Sequence, residues 1–365
     1  MEKQQNIKKQ VVLLGAGAMI PFGGPTTLEL TERIRLNNMC DTIFRIIQKG
    51  YKDSCNFETL LSAIELLLEW SISNESNGYI SSLDTSIYKS VFQKADVFRY
   101  KSKDELWEVY QIVVNGIIEA IKDYDYYPNY TECHKGIDSI YLKDYIINVS
   151  KNSSCKIYTL NYDRLIPCIL GEEVDIYEGV VNQKYSYDIN KFVNHPMTHF
   201  NLHGSIYLHY DYCNRIILND YPLEIEKPYT ISGGNPNEYK IFLPIIAGYH
   251  KSQRILSEPF NFGAGVFMYD CNTCDEIVIV GYSFSDPHIN SIMGNFINKK
   301  STNITIIDYS HDLSLPRRLE NRIKRVFSLD TKFSLIDNGM YRDAENKITI
   351  YLEGFDKYLY NFQES

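Results

Sequence analysis

Two hydrophobic patterns alternate along this chain, and they predict different elements. In one, apolar residues run together for four to six positions and stop at a glycine or polar cluster. In the other they recur every three or four positions, as on one face of a helix. Val11 to Leu14 is a run of the first kind, ending at Gly15-Ala16-Gly17, and predicts a strand buried on both faces that enters a tight turn. Cys155 to Leu160, Val174 to Tyr177, Thr198 to Leu202, Ile277 to Val280 and Ile304 to Ile307 predict further strands, and Lys347 to Leu352 a late edge strand. Ile206 to Asn219 reads as a β-hairpin turning near Asp211 to Asn214.

The helical pattern fills most of the space between the first two strands. Thr26 and Glu29 have capping-box spacing ahead of Leu30 and Ile34, so a helix is expected to start there. Phe57, Leu61, Ile64 and Leu68 make one apolar stripe, with Asn56 as its N-cap. Leu106, Tyr110, Val113, Ile117 and Ile121 make a second, and Ile137, Tyr141 and Ile147 a third, weaker one. Ser71 to Ser86 and Asp123 to Thr131 read as connections. Short apolar strands alternating with helices predict an α/β chain: a Rossmann-like, mostly parallel sheet with helices on both faces. We expect a single domain over 1–365, carrying a helical insertion at 38–150 and a β-hairpin or irregular insertion at 204–265.

Composition narrows the possible functions. With 44% hydrophobic and 23% charged residues in 365, the chain can bury a substantial core. A net charge of −9 argues against general nucleic-acid binding. The basic run Arg317, Arg318, Arg322, Lys324 and Arg325 reads as a solvated helix face after Pro316. Eight cysteines include one CxxC pair, Cys271 and Cys274, and no second pair completes a four-thiolate zinc site. His195, His199 and His209 match no zinc spacing, so no metal is expected. Scattered cysteines, a polar leading segment and the lack of a long apolar run place the expected protein in the cytoplasm, away from membranes.

In open α/β sheets ligands bind beyond the carboxyl ends of the strands. The residues just past each expected strand are therefore the candidates: Gly15-Ala16-Gly17-Ala18, then Asn161-Tyr162-Asp163, His203-Gly204-Ser205, Gly281-Tyr282-Ser283, and Asp308. The glycine turn allows close backbone approach to a pyrophosphate, although Ile20 stands where the dehydrogenase fingerprint has its third glycine. Asn161 can orient a ribose hydroxyl or a water, and equally belongs to a turn that starts the helix near Arg164. His203 is suited to general-base chemistry near neutral pH, or to a structural hydrogen bond. Ser283 can donate to a phosphate, Asp286 can cap a helix over 289–296, and Asp308 can hold a ribose hydroxyl or cap a turn.

Taken in order, these clusters resemble the sirtuin superfamily. Gly15-Ala16-Gly17 resembles the opening of its cofactor loop, Thr159-Leu160-Asn161-Tyr162-Asp163 its Thr-Gln-Asn-Ile/Val-Asp segment, His203-Gly204 its His-Gly pair, and Gly281-Tyr282-Ser283 its Gly-Thr-Ser turn. The resemblance implies NAD as substrate, with Asn161 at the nicotinamide ribose and His203 as general base. It places Asp163 on the nicotinamide-ribose side, Gly15 to Ala18, Gly281 and Ser283 near phosphates or adenosine, and Asp308 at the adenosine ribose. Two features depart from the deacylases. Pro21-Phe22-Gly23-Gly24-Pro25 lacks their Asp-Phe-Arg, and Ile206 to Lys240 occupies the place of their zinc module. Gly281-Tyr-Ser-Phe-Ser-Asp-Pro-His-Ile289 is closer to the sirtuin-like NAD hydrolases of prokaryotic antiphage defence. That branch implies an NADase held in check by homo-oligomer packing or by a partner such as a HerA-type translocase ATPase. A non-catalytic NAD or ADP-ribose binder and an NAD-dependent protein deacylase stay open as alternatives.

Overall fold

The structure is a computed structural model that describes residues 8–50, 55–75, 103–125, 139–211, 213, 215–223, 245–248, 251–297, 301–330, 332–345 and 347–364. The first apolar run forms β1 (Lys8–Leu14), flanked on one side by β2 (Ser153–Thr159) and on the other by β8 (Glu276–Val280), both parallel to it. Beyond β2 lies β5 (Met197–Asn201); beyond β8 lie β9 (Asn303–Ile307) and β12 (Ile348–Tyr351), again parallel. Numbered in chain order, these six strands lie 3-2-1-4-5-6, the order of dinucleotide-binding Rossmann sheets. β1 therefore reads as an uninterrupted apolar run because it sits at the centre and is covered twice. Val12 and Leu14 join one core, Val11 and Leu13 the other.

The first core is roofed by helices lying between β1 and β2 in sequence: α1 (Thr27–Arg35), α2 (Asn38–Gly50), α3 (Phe57–Glu75), α4 (Lys103–Asp125) and α5 (Ser139–Asn152). The expected caps are present. Thr26 accepts from the Glu29 amide at 3.1 Å while the Glu29 carboxylate accepts from the Thr26 amide at 2.7 Å. Asn56 accepts from the Thr59 amide at 3.0 Å at the head of α3. The helix α6 (Leu165–Leu170) begins beside Arg164, as expected. The second core lies under α7 (Ile189–Asn194), α9 (Phe260–Thr273), α10 (Pro287–Phe296) and α11 (Arg317–Phe327). The short α8 (Lys251–Arg254) precedes α9, and α12 (Phe355–Glu364) returns to pack on α5.

Three readings of the pattern are corrected. Val174 to Tyr177 forms no strand; only Tyr177 bridges to Thr198. Ser71 to Glu75 continues α3 instead of opening a connection. Lys347 to Leu352 does contain β12, but it is not an edge, because the hairpin β10 (Phe333–Asp337) and β11 (Met340–Asp343) pairs beyond it. The expected hairpin at 206–219 is β6 (Leu208–Tyr210) with β7 (Ile216–Leu218), and it joins β3 (Val180–Val181) and β4 (Lys184–Tyr185) in a small antiparallel sheet. The apolar stripe residue Ile137 and the greater part of 220–250 lie outside the described residues. No helix among the described residues is long and apolar enough to cross a membrane.

Candidate active site

The strand order reverses between β1 and β8, and at that switch point the loops leaving the two strands interlock. The Gly15 amide donates to the Val280 carbonyl at 2.8 Å and the Gly17 amide to the Gly281 carbonyl at 3.0 Å. Gly281 has φ +57°, and a Cβ there would lie 2.2 Å from the Ala18 nitrogen. A Cβ on Gly15 or Gly17 would in turn strike Gly281 backbone at 2.5 or 2.8 Å. The glycines are thus required first by each other. Three amides of the expected phosphate cradle are already engaged within the protein. Those of Gly15, Gly17 and Ala18 are taken by the Val280, Gly281 and Gly15 carbonyls, and Ala18 is fully buried.

Asn161 follows β2 on a loop held from both sides. Its Nδ2 donates to the Gly15 carbonyl at 3.0 Å, tying the side chain to the first glycine turn and turning its carbonyl oxygen the other way. Asn201, at the end of β5, uses its own Nδ2 to hold the Asn161 and Asp163 carbonyls at 3.0 and 2.8 Å. The loops after β2 and β5 are therefore one hydrogen-bonded unit. His203 lies two residues beyond Asn201, where Leu202 enters the core and Gly204 turns the chain at φ +79°. It is 6% exposed, and its Nε2 stands 3.3 Å from Oδ2 of Asp286, close but short of a well-directed hydrogen bond. Burial and the nearby Lys251 ammonium hold the imidazole below its ordinary range, against the upward pull of Asp286.

From the sequence Asp286 reads only as a helix cap. It is one: Oδ1 accepts from the His288 and Ile289 amides at 2.9 and 3.3 Å. Its second oxygen serves the site, facing His203 and the Lys251 Nζ at 3.0 Å. Burial raises this carboxyl, but His203 and Lys251 outweigh it and hold it far below the usual carboxylate range. Lys251 also stands 3.8 Å from Glu58 at the head of α3. Lys251 and Glu58 carry no motif by which the sequence could single them out.

Asn161, His203, Gly15 to Gly17, Gly281, Ser283, Asp286 and Lys251 line one cavity of about 1020 Å³. The heads of α1, α3 and α10 all open onto it through Thr26, Asn56 and Asp286, an arrangement whose partial positive charge favours an anionic ligand. Arg322 of α11 reaches the rim and donates to the Ser283 carbonyl at 2.6 Å. Besides the buried Ala18, two expected ligand-binding residues do not line the cavity. Asp163 turns into the protein, accepting the Tyr124 hydroxyl at 2.7 Å and the Leu165 amide at 3.1 Å; burial raises its carboxyl. It acts on the site through the loop it holds. Asp308 ends β9 at the same sheet edge, half-buried, and accepts from the Tyr309 amide at 2.9 Å. Among the described residues no three His, Cys, Asp or Glu side chains converge as a metal-ligand set.

No family model matches the sequence, and no curated protein matches it. Solved structures do. The chain is similar to Sir2 homologues. A serine-to-alanine Sir2 homologue in complex with ADP ribose aligns at TM-score 0.39 and 11% identity, covering 90% of this chain and 96% of that one. A triple-mutant Sir2 homologue in complex with 2'-O-acetyl ADP ribose aligns at TM-score 0.37 and 12% identity over the same shares. The Rossmann-like fold assignment itself rests on the strand order of this chain.

Proposed function

We propose that this chain is an NAD hydrolase that breaks the nicotinamide–ribose bond and releases nicotinamide and ADP-ribose. The observation that carries the reading is the meeting of Asn161, His203 and the interlocked glycine turns in one cavity at the switch point of a Rossmann-ordered sheet. That is where such sheets hold dinucleotides. Asn161 presents an amide oxygen suited to a ribose hydroxyl. His203, kept neutral by its surroundings, is the only side chain among the cavity's predicted site residues suited to take a proton near pH 7. In this mechanism water adds to C1′ while the C1′–N bond breaks. The bonding pair leaves with nicotinamide, and the water's proton passes to His203 directly or through the ribose hydroxyls. Asp163 supports this centre by bracing the loop, and the Ser283 turn supplies the adenosine side, with Asp308 further along the same sheet edge.

The stretch Gly281 to Ile289 supports placing the enzyme among regulated NAD-depleting effectors of antiphage defence, restrained by self-assembly or by a translocase-type ATPase subunit. Nicotinamide release from NAD, followed with the purified chain alone and with co-purified partners, tests the reading. Hydrolysis that survives in both Asn161→Ala and His203→Ala removes these residues from the chemistry. Turnover seen only with an acylated peptide, yielding acyl-ADP-ribose, assigns the site to deacylation instead.

A further inference from the structure

Two nitrogen groups, an ammonium and an imidazole, face one oxygen in this cavity. Oδ2 of Asp286 lies 3.0 Å from Lys251 Nζ and 3.3 Å from His203 Nε2, while Oδ1 is occupied at the head of α10. A carboxylate that only capped a helix would have no need of a second, buried face turned on a histidine. Asp286 is 8% exposed, and its position is fixed from behind by Tyr282, whose hydroxyl donates to the Asp286 carbonyl at 3.2 Å and to Asn290 at 2.9 Å. The helix that carries Lys251 is tied to α3 by the buried Arg254–Glu65 pair at 2.6 Å. The charged groups facing His203 are Asp286 from α10, Lys251 from α8 and Glu58 from α3. The neighbouring phenols of Tyr162 and Tyr282 are raised far above neutrality by burial and stay uncharged.

We propose that Asp286 is the positioning residue for His203, and that Lys251, seated on the same carboxylate oxygen, sets how far Asp286 can draw a proton onto the ring. With Oδ2 of Asp286 3.3 Å away, a proton on Nε2 is favoured over one on Nδ1, leaving Nδ1 as the basic nitrogen. Without Lys251 the carboxylate would hold an imidazolium, and the base would be consumed near neutral pH. The balance of one carboxylate against one ammonium keeps the ring oriented and still basic. This inference rests on the hydrolase reading for its catalytic meaning, but the coupling among the three groups can be measured without turnover.

The test uses the full chain with ¹³C-labelled histidine, following the His203 ring by NMR as pH varies, with His203→Gln to assign the signal. Asp286→Asn retains the helix cap, since Asn caps as well as Asp. It should lower the His203 titration by about one pH unit or more, and Lys251→Met should raise it by a similar amount. The acidic limb of kcat/KM for nicotinamide release should move with it: upward in Lys251→Met, downward in Asp286→Asn, the latter with a lower kcat from a loosened ring. A His203 titration that stays put in both variants overturns the proposal. So does a Lys251→Met enzyme whose KM rises tenfold while its pH profile is unmoved, since Lys251 would then be a phosphate ligand. Titrations that shift as expected in a protein releasing no nicotinamide under any condition uphold the coupling and refute the hydrolase reading alone.

Discussion

Replacing Gly281 by alanine tests whether the two glycine turns are interlocked. Two effects add at this position. At φ +57° the left-handed conformation costs a residue with a Cβ about 1–2 kcal/mol. The new methyl also meets only backbone: the Ala18 nitrogen at 2.2 Å, the Gly17 carbonyl carbon at 2.3 Å and its Cα at 2.5 Å. No side chain can swing away, so the turns must separate by about an ångström, and the bonds from Gly15 to Val280 and Gly17 to Gly281 are lost or stretched. Each such bond contributes about 0.5–1.5 kcal/mol net, so the expected loss is roughly 2–5 kcal/mol in all. Gly23 supplies the control. It is left-handed at φ +89° and ψ 5°, yet a Cβ placed there meets nothing closer than Tyr124 Cβ at 3.6 Å, so Gly23→Ala should cost only the conformational part, about 1–2 kcal/mol. Urea unfolding of wild type and both variants, compared at equal m-value, measures the difference directly. Equal destabilisation by the two substitutions would falsify the interlock, and NAD binding undiminished in Gly281→Ala would separate the turn from the ligand site.

Other expectations come from the same geometry. His203→Ala should lower nicotinamide release by about 10²–10⁴-fold while NAD binding, read by calorimetry, is retained. Asn161→Ala should cost about 10²-fold or more, and because Nδ2 also ties the loop to Gly15, Asn161→Asp should not rescue it. Tyr124→Phe leaves the buried Asp163 short of a donor and should destabilise the fold by about 1–3 kcal/mol in thermal or urea unfolding, with part of the activity lost through the Asn161 loop. Glu178 is raised by burial but pulled down further by His199 and Arg164, to about 2. Its folded value is thus below the unfolded one of about 4.3. It therefore stabilises the fold above about pH 4–5 and progressively loses that contribution as pH falls toward about 2, up to about 3 kcal/mol. Unfolding free energies at about pH 3 and about pH 7 should show this slope in the wild type and a flatter one in Glu178→Gln.

The sheet is readable because its central strands are buried on both faces, which leaves no polar positions in runs such as Val11 to Leu14 and Ile277 to Val280. The outer hairpin is not, since Ser334 to Asp337 is exposed on both faces, Leu335 and Ile336 included; the Asn338-Gly339 pair is the signal available for it. Among site residues, Asn161 and His203 are legible as polar residues placed just after strands. Asp286 is legible as a cap but not as a partner of His203, because the second use of its carboxylate depends on two strands ending at the same height. Lys251 and Glu58 come from helices whose docking no local pattern encodes. At Gly15 and Gly17 the permissive backbone that suggests a ligand is also demanded by a neighbouring turn.

The placement of β1 has a consequence for biosynthesis. Its two sheet neighbours are made long after it: β8 pairs through Ile277, so at ribosomal rates of about 5–20 residues per second it trails Val11 by some tens of seconds. Throughout that interval a segment that is apolar on both sides lacks at least one of its permanent mates, the condition under which nascent chains stick to one another or summon chaperones. Lys8 and Lys9 open β1, and in the finished molecule they pair with Glu276 of β8 and Asp270 of α9. Neutralising that pair of lysines should therefore show itself less in the melting curve of purified protein than in the fraction of newly made chains recovered soluble.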